Sequence, residues 1–168
     1  NGILKILFDH HISISLNQTI RWSLQAHNKF SDQSCGELMD FFAARLRFMF
    51  EEMGYPYDCI HAILEAGFDN PLGALGRLRA LCEMRNEEAF ISLSSNFKRI
   101  VNITSQADTA GEVPDSSIFV TKEEKELWDS YLSVKPEVER AGELHDYNSA
   151  LRSLASMRDV VDRFFQEV

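Results

Sequence analysis

The sequence predicts an all-α protein, an antiparallel bundle of about six to eight helices, and three observations support this prediction. Apolar residues recur at spacings of three and four residues through most of the chain, which is the period of an amphipathic helix. Several segments open on a capping residue and close on glycine, as helices do. We find no convincing strand pair, and short connections favour antiparallel neighbours.

Length and composition favour one globular domain, or one such domain with a short appendage. The chain has 168 residues, enough to bury about 70% of its unfolded surface. Its net charge of −9 argues against a generally basic protein that coats nucleic acid, so RNA contact requires a local basic patch. Three widely spaced cysteines indicate reduced thiols in an intracellular compartment. No apolar run is long enough to span a membrane.

Residues 1–33 have the least regular pattern. Ile3–Phe8 is helical in pattern, and Asp9-His10-His11 breaks it. The segment from Ile12 to Leu16 alternates as a strand does, but it is isolated. We favour a connector in which Ser15 caps a following helix. The polar segment from Asn28 to Ser34 is the candidate domain boundary.

The segment from Glu37 to Gly67 is predicted to form two helices separated by a tight stop. Ser34 and Glu37 have the spacing of a capping box at the start of the first helix. Gly54 is a natural left-handed stop, and Pro56 suits the first turn of the second helix because it has no N–H to pair there. The apolar stripe of the first helix consists of Leu38, Phe41, Phe42, Leu46, Met49, Phe50 and Met53.

Two more helices are predicted before residue 106. Asn70 followed by Pro71 indicates the start of the first. Glu87 and Glu88 indicate the acidic first turn of the second, which is expected to run to about Ser105. The residues that this second helix is expected to bury are Phe90, Leu93, Phe97, Ile100, Val101 and Thr104.

The C-terminal third is predicted to contain a loop, a long helix and a hairpin arm. Small and polar residues from Ala107 to Ser117 indicate the loop. Thr121 with Glu124 has capping-box spacing, and Pro136 is expected to kink or split the helix that follows.

The sequence contains no recognisable catalytic centre. Asp9-His10-His11 invites a metal phosphohydrolase interpretation, but a metal site needs three or four converging donors, and adjacent histidines do not share a helix face. Walker, Rossmann, triad and zincin patterns are missing. Cys59 and Cys82 fall on apolar stripes, which favours small buried hydrophobes over nucleophiles. We therefore expect this segment to use no metal and no cofactor of its own.

Cationic side chains are the more informative candidates. Lys98, Arg99 and Asn102 share one predicted helix face, on the side away from Phe97 and Val101. Two cations and an amide on one face can hold a phosphate backbone and reach a ribose or base edge. From composition alone, ordinary solvated flanks are the favoured interpretation. The further candidates, each flanking an apolar stripe, are Arg45, Arg47, Arg77 and Arg79.

Three motifs in a fixed order resemble a known family. DFFAARLRFMFEEMGYPYDCIHAIL, FKRIVNI and MRDVVDRFFQEV together resemble the C-terminal anticodon-binding region of the bacterial-type glycyl-tRNA synthetase beta subunit, from about Leu38 to Val168. The resemblance implies a helical anticodon-binding domain at residues 34–168, with residues 1–33 as a linker and the tail of a preceding helical domain. It also favours RNA contact at FKRIVNI over an ordinary solvated face.

The resemblance implies a function and partners as well. The parent enzyme would attach glycine to its tRNA with ATP and magnesium, using an active site on a separate alpha subunit of a two-alpha, two-beta assembly in the cytoplasm. This segment would supply RNA affinity rather than chemistry, with neither a membrane nor DNA as a partner. Acidic residues crowd residues 108–146, so the binding face is expected elsewhere. The alternative is a helical protein–protein interaction domain without RNA binding.

Overall fold

The computed structural model describes residues 2–105 and 114–167, and the prediction of an all-α fold is confirmed there. Its nine α-helices within those ranges are α1 (Gly2–Asp9), α2 (Leu16–Ala26), α3 (Asp32–Glu52), α4 (Tyr57–Glu65), α5 (Pro71–Met84), α6 (Glu88–Thr104), α7 (Lys122–Glu143), α8 (Tyr147–Ala155) and α9 (Arg158–Glu167). Of the predicted loop from Ala107 to Ser117, residues 107–113 lie outside the described residues. A turn of 3-10 helix, Ser116–Ile118, precedes α7.

The chain divides into two compact units within α5. Unit 1 comprises Asn1–Cys82, and unit 2 comprises Glu83–Val168. In unit 1, α1, α3, α4 and α5 share an apolar core in which Leu46, Phe50 and Ile60 are fully buried. Burying side chains of this size stabilises a fold by about 1.5–3 kcal/mol each.

The connection between α3 and α4 confirms the predicted stop at Gly54. Gly54 has a φ of +84°, which glycine adopts at no steric cost. Its N–H donates to the Glu51 carbonyl at 2.9 Å, and the N–H of Tyr55 donates to the Phe50 carbonyl at 3.1 Å. These two bonds form a Schellman motif. The Tyr55 ring also packs edge-on against Phe50, with centroids 6.4 Å apart, so the stop is tied to the core.

The predicted start of α3 is wrong by one turn. Ser31 is the N-cap, and its hydroxyl accepts the Ser34 N–H at 3.0 Å. Glu37 instead accepts a bond from Gln33 at 2.9 Å. In the extra turn, Asp32 pairs with Arg21 of α2 at 3.9 Å. Spacing within the sequence does not reveal this contact, and both serines suit a cap.

The predicted boundary between residues 1–33 and 34–168 stays a prediction. Within unit 1, α1 lies in the same core as α3, and Leu16 and Ile20 of α2 pack around Cys35 of α3. The Asp69 carboxylate accepts the N–H of Asn17 at 2.7 Å. The two N-terminal helices are thus integral to the packing of unit 1.

Unit 2 has a smaller apolar core. Helices α8 and α9 contact both α6 and α7. The buried cluster contains Met84, Leu93 and Ala155. Helix α7 runs without a break through Pro136, so of the two predicted outcomes the split is wrong.

The predicted capping box at the start of α7 is confirmed. The Thr121 hydroxyl accepts the Glu124 N–H at 3.2 Å. The Glu124 carboxylate in turn accepts the N–H groups of Thr121 and Val120, each at 2.8 Å. These backbone donors hold the pKa of Glu124 below its usual value, Thr121 having the largest effect and Val120 the next.

Candidate nucleic-acid interface

Helix α6 presents three of the predicted RNA-binding residues to solvent. Lys98, Arg99 and Asn102 are all exposed. From Ile91 to Ser105 the sequence contains no aspartate or glutamate. Among the described residues, no carboxylate forms an ion pair with Lys98 or Arg99. The face is therefore locally cationic in a chain that is acidic overall.

The prediction that Phe97 and Val101 are buried is wrong. Their exposed fractions are 45% and 59%. The buried positions of α6 include Leu93 and Asn96. The prediction placed the buried face of α6 from the spacing of apolar residues alone. It therefore missed the buried amide of Asn96, which lies on the true buried face. As a result, an aromatic ring and an aliphatic side chain lie on the accessible surface next to the cations.

Arg99 is held by α9. Its guanidinium carbon lies 4.2 Å from the centroid of the Phe165 ring, which is a favourable cation–π distance. The Asp162 carboxylate lies one turn before Phe165 on the same helix and accepts a bond from Asn96 at 2.6 Å. Arg99 thus has an aromatic partner, while this nearby carboxylate is engaged elsewhere.

A polar network joins α6 to α9, and sequence reasoning missed it. Asp162 accepts bonds from Asn96 and, at 3.4 Å, from the Ser92 hydroxyl. Nε of Arg158 lies 3.6 Å from Asp162, and Arg158 Nη2 lies 3.3 Å from Glu88. The sequence feature that could have indicated the network is Asn96, a polar residue at a position of α6 where a buried residue is expected. Because hydrogen bonds are directional, this network sets which side of α6 faces solvent.

Two of the four arginine candidates of unit 1 make defined contacts. Arg77 donates to the backbone carbonyl of Gly67, just beyond α4, which is a structural role. The Arg45 guanidinium carbon lies 5.1 Å from the centroid of the Phe41 ring on α3. Their predicted roles in RNA binding stay predictions.

The other two, Arg47 and Arg79, are exposed. Arg47 lines a shallow depression of about 330 Å³ on α3, together with Phe48 and two acids, Asp40 and Glu51. Acids so close to a cation weaken its attraction for phosphate. A role in RNA binding for these two arginines also stays a prediction.

The described residues provide no further metal ligands near Asp9-His10-His11. Across residues 2–105 and 114–167, no three His, Cys, Asp or Glu side chains are grouped to hold a metal ion. His10 is exposed, and His11 has a φ of +52° in the turn after α1. In the same ranges, no helix combines the length and apolar character needed to cross a membrane.

Comparison with known proteins points to one family. The chain is 29% identical over 170 residues to the glycine–tRNA ligase beta subunit of Halothermothrix orenii, 31% over 179 residues to that of Acidobacterium capsulatum, and 32% over 171 residues to that of Desulforudis audaxviator. These alignments cover 99% or 100% of this chain and 25% of each relative. The chain thus spans about a quarter of the length of these curated relatives.

No family model matches the chain. The three relatives nevertheless carry the name of the family that the three motifs resemble. The predicted resemblance is confirmed: this chain is related, along its whole length, to about a quarter of the glycine–tRNA ligase beta subunit.

Proposed function

We propose that this chain is a tRNA-binding segment of a glycine–tRNA ligase beta subunit and that it contacts RNA through the exposed face of α6. The observation that carries the proposal is the acid-free stretch from Ile91 to Ser105, which exposes Lys98, Arg99 and Asn102. An acidic protein needs such a local patch to attract RNA. The name of the relatives supports glycine tRNA as the ligand.

Each exposed group on α6 suits one part of an RNA strand. The Lys98 ammonium is a compact cation for a phosphate, and the Arg99 guanidinium offers a fork of donors. The Asn102 amide can bond to a ribose or to a base edge. Phe97 exposes a ring on which an unpaired base can stack. The cations would supply affinity, and the amide and ring would supply preference for one RNA over another.

In this proposal, the segment contributes RNA affinity and orientation within a larger enzyme. That enzyme would join glycine to its tRNA with ATP and magnesium, at an active site on a separate alpha subunit. The two kinds of subunit would form a two-alpha, two-beta assembly in the cytoplasm. The support is the family of the relatives, of which this chain spans a quarter.

A titration of glycine tRNA against the full chain at several salt concentrations tests the proposal. Affinity should fall as salt rises, because phosphate contacts release bound counterions. We expect Lys98→Ala to lower affinity and to reduce the slope of log K against log salt by about 0.7–0.9. The matched control, Lys135→Ala, removes the same charge from α7, where Lys135 lies 3.9 Å from Glu139. This control should bind tRNA as the wild type does.

Two results of this titration count against the proposal. One is the absence of tRNA binding at low salt. The other is an equal loss of affinity in Lys98→Ala and Lys135→Ala, because total charge and not the α6 face would then govern binding.

A protein–protein interaction domain without RNA binding is the alternative function. The exposed apolar side chains of α3, Leu38, Phe41 and Phe48, favour it, because such a stripe suits an amphipathic partner helix. In that case the wild type binds no tRNA at any salt concentration. Binding of glycine tRNA that weakens in Lys98→Ala excludes it.

A further inference from the structure

We infer that Phe165 is a positioning residue for RNA binding: its ring holds the Arg99 guanidinium in place so that the edge of the guanidinium meets a phosphate. The inference rests on the proposed function of α6. Its starting observation is the 4.2 Å between the Arg99 guanidinium carbon and the Phe165 ring centroid. Sequence patterns offer no link between these two residues, which lie on different helices.

Stacking on a ring leaves the donors of an arginine available. The guanidinium is planar, and its five N–H groups point outward within that plane. A ring that lies parallel to this plane occupies one face and takes none of these donors. Arg99 is exposed, and among the described residues its side chain forms no ion pair or hydrogen bond that would occupy them. The fork is therefore available to an anion.

The benefit of the stack is preorganisation. A freely moving arginine samples many rotamers and loses that freedom when it binds a phosphate. Arg99 has already lost part of it, because the ring of α9 holds its head group. Less entropy is then lost on binding, and affinity rises without an additional contact to the RNA.

The ring itself is held in place. Phe165 is half-buried and meets Phe164 edge-on, with centroids 5.5 Å apart. One turn earlier, Asp162 ties α9 to α6 through its 2.6 Å bond from Asn96. Among the described residues, Asp162 pairs with Arg158 at 3.6 Å and not with Arg99. Helix α9 thus offers Arg99 an aromatic face rather than an acid.

A double-mutant cycle on the full chain tests the inference, with glycine tRNA as the probe. Phe165→Leu keeps an apolar side chain but removes the π face, and we expect it to weaken binding about two- to fivefold. Arg99→Ala should weaken binding and lower the salt slope by about 0.7–0.9. Adding Phe165→Leu to Arg99→Ala should cause no further loss, because the ring acts only through the arginine. A merely structural role for Phe165 would weaken both backgrounds equally.

The matched controls separate the π face from general packing. Phe119→Leu removes a half-buried ring that packs against Trp128, with centroids 6.3 Å apart, and should retain wild-type affinity. Phe165→Tyr keeps an aromatic face and should also bind as the wild type does. Arg99→Lys changes an exposed residue and should fold, so it can be assayed even if Phe165→Leu is too unstable. It keeps the positive charge but lacks the planar guanidinium, and we expect it to lose affinity for tRNA.

The possible failures are distinguishable. Absence of salt-dependent binding in the wild type overturns the proposed function and this inference together. If Lys98→Ala behaves as expected but Phe165→Leu binds normally, or weakens the Arg99→Ala protein equally, only the inference fails. Full affinity in Arg99→Lys overturns it as well.

Discussion

Unit 1 and unit 2 are stabilised in different ways. Unit 1 has an extensive apolar core around Leu46, Phe50 and Ile60. Unit 2 has a small cluster that includes Met84 and relies on polar side chains to join α6 to α9. Hydrophobic burial is non-directional, whereas hydrogen bonds set the rotation of a helix. In unit 2, directional bonds from α9 therefore set which side of α6 faces solvent.

The exposed faces of α3 and α6 differ in the acidic residues that lie near their cations. Both present phenylalanine and cationic side chains, so the two look alike in residue type. On α3, Asp40 and Glu51 line the same depression as Arg47. Around Lys98 on α6, the sequence has no acid from Ile91 to Ser105. The sign of the neighbouring charges, more than the cations themselves, distinguishes an anion-binding face from an ordinary surface.

The largest expected effect is the loss of the Phe50 side chain from unit 1. Phe50 is fully buried and stacks against Phe8 at 6.3 Å. Phe50→Ala should lower the free energy of unfolding in urea by about 3–5 kcal/mol, because a cavity replaces the ring. Phe48→Ala is the matched control on the same helix. Its ring is 47% exposed, so its effect should stay within about 0.5 kcal/mol. Equal effects would contradict the assigned core.

A smaller loss is expected when the polar network of unit 2 is broken. Asp162→Ala leaves the buried amide of Asn96 without its acceptor. The free energy of unfolding should fall by about 1–3 kcal/mol, which is the cost of an unsatisfied buried donor. Asp129→Ala removes an exposed acid from α7 and serves as the control. If the two variants unfold at the same urea concentration, the network does not stabilise unit 2.

The smallest effect concerns acid sensitivity in unit 2. Backbone N–H groups of Thr121 and Val120 lower the pKa of Glu124 from 4.5. Because the pKa of Glu124 is lower in the folded state than in the unfolded state, its charged carboxylate stabilises the fold above pH 4.5. This stabilisation is lost as the pH falls through the folded-state pKa. Glu124→Gln should therefore be less stable than the wild type at neutral pH, and the gap should close in acid. Urea unfolding at a series of pH values measures this difference in the free energy of unfolding. A difference that does not change with pH would contradict a stabilising role for the charged Glu124 carboxylate.

Local signals predicted several helix ends correctly. Ser15 caps α2, accepting the Gln18 N–H at 3.1 Å, and Gly54 ends α3. These devices depend on hydrogen bonds between residues a few positions apart, so they are visible in the sequence. The start of α3 was missed because Ser31 and Ser34 suit a cap equally well. In the added turn, Asp32 pairs with Arg21 of α2 at 3.9 Å, which is a tertiary contact that local spacing does not show.

The sequence by itself determined the helical class, many of the helix ends and the family, because each depends on short-range spacing or on motif order. The tertiary structure alone decided which side of α6 faces solvent. Asn96 is buried because Asp162, 66 residues away, accepts its amide, and Arg99 is held because α9 brings Phe165 beside it. Apolar periodicity gives a buried amide no weight and says nothing about a partner on another helix. The exposure of Phe97 follows from that docking and not from its own place in the pattern.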